Sequence, residues 1–152
     1  MKSLLRLLAT LAILLAGPVA FAADAAHAEK EEKADTELTK KMDNIKRAFR
    51  QLKKQAGDAA KNEDSIKQVA VMQENATAAA KLDPLKATEV PKAESAKLIA
   101  GYREEMKEFL KMIAQLGDAF KAGNNAEAQK IIGQLGDLQK EGHKEYKSKS
   151  ID

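Results

Sequence analysis

Apolar residues in this chain fall into four separate runs, each with a helical step. In the first, Leu38, Met42, Ile45, Phe49 and Leu52 recur at intervals of three and four and form one narrow stripe, with Lys and Arg on much of the opposite face. This predicts a helix from about Thr36, ending at or near Gly57. Residues 62–65 supply capping types, and Gln68 follows Ser65 at the capping-box spacing, so a second helix is predicted from there to about Leu82. Its inner side (Ile66, Val69, Met72, Ala76, Ala79, Ala80) is rich in alanine and lets neighbours approach closely. Pro84 and Pro91 bracket a predicted loop over 83–92, because proline cannot continue a helix.

A third helix is predicted by Ile99, Tyr102, Met106, Phe109, Ile113, Leu116 and Phe120, which keep the step over six turns. Ala122-Gly123-Asn124-Asn125 stops it and caps a fourth, carrying Ala128, Ile131, Ile132, Leu135, Leu138 and Tyr146 with His143 at the edge of the stripe. So short a break makes helices three and four antiparallel neighbours. No alternating run of β-branched residues is present, and aromatics are only 4% of the chain, so a sheet has little to be built from. The prediction is an all-α, antiparallel up-down-up-down four-helix bundle over residues 35–149.

The N-terminus changes what counts as the mature protein. Residues 1–22 read as a cleavable export signal: Lys2 and Arg6, an apolar run from Leu7 to Leu15, a Gly17-Pro18 break and Ala20-Phe21-Ala22. Residues 23–34 are small and charged and read as a flexible lead-in. A soluble, periplasmic product without membrane insertion is expected. Removing the signal takes away two of 26 basic residues and none of 23 acids, leaving 24 against 23, a balance that gives no case for nucleic-acid binding. Cysteine is absent, so an exported chain of this kind is held by its core or by a bound cofactor.

Up-down-up-down topology brings the start of the first helix and the end of the last to one end of the bundle. Met42 and His143 then lie roughly 8–10 Å below that end, by helical rise. A thioether and an imidazole so placed can ligate a haem iron from its two faces. Ile45, Met72, Tyr102, Met106, Leu135 and Leu138 would line an apolar slot at similar depth, with Lys144 and Lys147 near its mouth for propionates. Each residue also has a plainer reading: a methionine on a stripe fills a core, a histidine near a helix end caps it, and late lysines answer the helix dipole. There is no Cys-x-x-Cys-His for covalent haem, no Glu-x-x-His pair of the di-iron type, and no catalytic triad or phosphate loop. His27 lies in the lead-in and reads as unrelated to the site.

On Leu38-x-x-x-Met42, Met72, Gly123 followed by Glu127-Ala128-Gln129, and His143-x-x-Tyr146, the chain from about residue 34 to 147 resembles the cytochrome b562 family of soluble periplasmic haem proteins. The resemblance implies one non-covalent b-type haem with Met42 and His143 as axial ligands and one-electron transfer as the activity, with no catalysis. It departs from the family's type member at Gln139, where an arginine stands one turn before the histidine, and at Met106, where a phenylalanine lines the pocket. Redox partner proteins are implied but not identified, and a monomer is expected. Two other readings stay open: a haem-free bundle that binds envelope partners, and Cu(I) held by Met42, Met72, Met106 and His143.

Overall fold

A computed structural model describes residues 36–149. The predicted export signal, the lead-in and His27 lie outside the described residues. Four helices follow one another: α1 (Glu37–Gln55), α2 (Asn62–Ala79), α3 (Lys92–Lys121) and α4 (Asn125–Tyr146). They form an antiparallel four-helix bundle, as the stripes predict. One short 3-10 turn (Ala59–Lys61) sits between α1 and α2, and another (Leu85–Thr88) lies inside the predicted loop before α3.

Thr36 starts α1, its hydroxyl accepting from the Thr39 amide at 3.1 Å. The start of α2 differs from the capping-box expectation. Asp58 takes up the turn first, accepting from the Ala60 amide at 3.0 Å, and the 3-10 turn feeds directly into the helix at Asn62. Ser65 is therefore already helical and fully buried, and its hydroxyl accepts from Gln55 Nε2 at 3.0 Å instead of capping. At its other end α2 stops at Ala79, three residues before the predicted limit. Lys81 and Leu82 donate to Ala78 and Ala79 in i→i+3 fashion, which tightens the exit before the proline-restricted backbone at Asp83.

The predicted break between α3 and α4 is a Schellman turn. Asn124 N–H reaches Ala119 O at 2.9 Å, Gly123 N–H reaches Phe120 O at 3.0 Å, and Gly123 has φ +68°. Asn124 then caps α4, accepting from the Glu127 amide at 3.1 Å. One residue thus closes the turn through its backbone and opens the next helix through its side chain.

The core runs the length of the bundle, from Tyr102 and Met72 at one end to Leu116 and Phe120 near the other. Packing around it is unequal. Consecutive helices are in close contact, α1 with α2, α2 with α3 and α3 with α4, whereas α1 and α4 barely touch. Among the described residues no helix is long and apolar enough to cross a membrane.

Candidate functional site

A ring of contacts defines the end of the bundle where the candidate site lies. Asn44 on α1 donates to Asn75 on α2 at 2.9 Å. The Tyr102 hydroxyl on α3 donates to Ala79 O on α2 at 3.0 Å. The Tyr102 ring meets Tyr146 of α4 edge-on, centroids 5.6 Å apart at 70°. These contacts set the early part of α1, the end of α2, the early part of α3 and the end of α4 side by side. Met42 and His143 belong to the first and last of these.

Met42 is half-buried and rests on the core from the α1 side. His143 lies in the last turn of α4 and is exposed. Partial desolvation, then the cations Lys147 and Lys46, hold its pKa below the usual imidazole value. Lys46 is one turn from Met42 along α1, so the α1 segment that carries the thioether also supplies one of the two cations acting on the imidazole. A depressed pKa keeps the ring neutral at neutral pH, the form that offers a nitrogen lone pair to a metal.

The remaining predicted lining residues divide. Ile45, Met72, Tyr102, Met106 and Leu135 are buried within the single core cluster on which Met42 packs. Leu138 is half-buried, and His143 stands outside the cluster at the margin of α4. Met42 and the five buried residues thus share the core that runs through the bundle, while the imidazole is exposed at its margin. A cleft of about 450 Å³ opens in the α1–α4 seam, between Lys53 and Ala56 on α1 and Gln129 to Lys140 on α4. It lies below Met42 and His143 and contains neither, its upper end at Lys140 being one turn short of His143.

Several residues near the site escaped the sequence pattern. Glu105 on α3 lies against α4 at Gly142 and hydrogen-bonds Tyr146. Gly101 seats the Tyr146 hydroxyl, which would be 2.8 Å from a Cβ at that position. Lys86 donates to Glu145 O, and Ser148 bonds Glu89, so the last turn of α4 is also tied to the segment after α2. Two glycines at facing levels of α3 and α4, Gly101 and Gly142, were the available signal for this close approach.

The donor chemistry suits an iron porphyrin, a soft thioether resting on the apolar core and an imidazole biased toward its neutral form at the margin of the same end of the bundle. Among the described residues no group of three or more His, Cys, Asp or Glu gathers in a way that would hold a metal ion, so a carboxylate-bridged centre has no counterpart. A family model described as cytochrome b562 matches residues 37–147, which includes both candidate ligands. No curated protein and no solved structure matches the chain.

Proposed function

The chain belongs to the cytochrome b562 family, whose members are haem-binding electron-carrier bundles, and from that premise we propose that Met42 and His143 are the axial ligands of one non-covalent b-type haem carried in the periplasm. Haem, when bound, supplies the one-electron Fe(III)/Fe(II) couple. The chain's own part is to hold and tune. Met42 offers sulfur from a helix anchored on the core, and a thioether favours the ferrous state and raises the potential. His143 offers a nitrogen already biased toward the neutral form. Met72, Met106 and Leu135 exclude water from the inner side. Lys144 and Lys147, beside His143 at the end of α4, would be the cations available to haem propionates. Were both axial positions filled by Met42 and His143, a bound haem would be left for electron transfer and not for binding a substrate. Export follows from residues 1–22.

The observation that carries this reading is the unequal packing of the bundle. Helices α1 and α4 hold the two donors at one end, and of the four pairs of neighbouring helices around the bundle theirs is the slackest contact. The test is to add haem to the purified mature protein and record oxidised and reduced optical spectra. A one-to-one endpoint with six-coordinate low-spin bands is expected. Met42→Ala should retain haem with a changed axial set, and Met42→Ala with His143→Ala should lose most of the affinity. Haem binding unaltered in the double variant would remove the proposal, and a protein that stays colourless with haem present would favour a haem-free bundle.

A further inference from the structure

The positive charge of this protein is concentrated on one helix. α1 carries seven Lys and Arg against two acids, Glu37 and Asp43. Outside α1 the described residues hold fifteen Lys and Arg and fifteen Asp and Glu, an even balance. On α2, α3 and α4, cations pair with a carboxylate one turn away, as in Lys67–Glu63, Lys107–Glu104 and Lys140–Asp137. Arg50 and Lys53 on α1 have no acid three or four positions away on either side.

Part of this charge lines a groove of about 470 Å³ on the outer face of α1 and α2, with Arg47, Arg50 and Lys54 on its α1 wall. Gln51 and Gln68 supply amides, and Val71 from α2 is 40% exposed at its edge, the one large hydrophobic residue so exposed among the described residues. No carboxylate lines it. Asp43 stands one turn above Arg47, while at the lower end Asp58 caps the Ala60 amide and Asp64 accepts from Gln55 at 2.8 Å. Arg47 is held in place: it donates to Asn44 Oδ1, Asn44 donates to the buried Asn75 at 2.9 Å, and Asn75 donates to Val71 O at 2.8 Å. A guanidinium steadied through an amide relay that ends on a buried asparagine loses less freedom on meeting a carboxylate.

We propose that the α1–α2 groove is the docking surface for an acidic partner protein, whose carboxylates meet Arg47, Arg50 and Lys54. That this partner is a redox protein rests on the electron-carrier reading; the acidic docking itself does not. Complementary charge speeds encounter and suits a carrier that must bind briefly and leave. Helix α1 bears Met42 on its inner side, so a protein seated on the outer side lies about one helix width, roughly 10–12 Å, from that sulfur. A membrane surface is a poorer match, because Val71 alone offers too little apolar area to enter lipid. Nucleic acid is poorer still, since no aromatic side chain lines the groove for base stacking.

The probe is a synthetic twelve-residue Glu-rich peptide titrated into the ¹⁵N-labelled mature protein at low and moderate salt. Amide shifts confined to residues 44–54 and 68–71, fading as salt rises, are expected. R47E/R50E/K54E should weaken binding by about tenfold or more, and the milder R47Q/R50Q/K54Q should weaken it in the same direction with melting behaviour kept. The charge-matched K107E/K111E/K121E on α3 should stay near the parent. Equal losses in both reversed variants, or shifts spread over α3 and α4, would overturn the proposal, as would anionic phosphatidylglycerol vesicles binding through the three residues while the peptide does not. A second arm follows electron exchange between the haem-loaded protein and an acidic plant-type ferredoxin, which should slow in R47E/R50E/K54E with its absorption spectrum unchanged. If haem is not bound, this arm fails with the carrier reading, and the peptide map decides the docking surface alone.

Discussion

A Cβ added at Gly142 would sit 2.5 Å from Glu105 Oε1, so this carboxylate occupies space that only a glycine on α4 leaves free. Burial, then the negative charges of Glu145 and Glu141, raise the Glu105 pKa, and these outweigh the Tyr146 hydrogen bond that pulls the other way. An acid whose folded pKa is raised contributes its full stability below the unfolded glutamate value and loses it as pH rises through the folded one. Glu105→Gln keeps a hydrogen-bonding side chain and removes the ionisation. Thermal melts should show it above the parent at pH 7 and level with it near pH 3, and a lower melting point at pH 7 would mean the carboxylate–Tyr146 bond dominates. None of this is legible in the sequence. Glu105 falls among charged residues on the outer side of a helical stripe, and its partial burial depends on a missing side chain 37 positions away.

At the scale of elements, α4 is fixed by its last turn. Tyr146 wedges between Gly101 and Tyr102, while Lys86 and Glu89 hold the backbone and Ser148 beside it. Gly101→Ala should separate local from global effects. A mid-helix alanine is favoured over glycine by about 1 kcal/mol, yet its methyl would lie 2.8 Å from the Tyr146 hydroxyl and force the ring away. Little change in melting temperature is expected, with loss of the near-ultraviolet tyrosine dichroism and a shifted haem potential. Unchanged dichroism and potential would show that Tyr146 does not steady the turn that carries His143. The helices themselves were readable because apolar periodicity and the Gly123-Asn124 stop are local signals. Ser65 misled because a capping type is ambiguous until the preceding turn is known, and Asp58 with its 3-10 turn had already begun the helix. The outward aspect of His143 was not readable either. Helical spacing places it only at the edge of a stripe, and the rotation of α4 against α3 decides which side of that edge faces water.

For the whole molecule, α1 to α2, α2 to α3 and α3 to α4 form a continuous packed sequence that the connections enforce. Nothing in the chain order presses the first helix against the last. The bundle thus resembles a book with α2 and α3 as its spine and α1 and α4 as two covers that meet loosely. A flat ring can slip between covers while the spine stays shut, so filling and emptying should proceed by swinging one outer helix aside instead of melting the fold. Release of haem to a scavenger should then depend on urea far more weakly than unfolding does, because a swing exposes only a fraction of the buried surface. Equal urea dependences would mean that the whole bundle must come apart before the ring can leave.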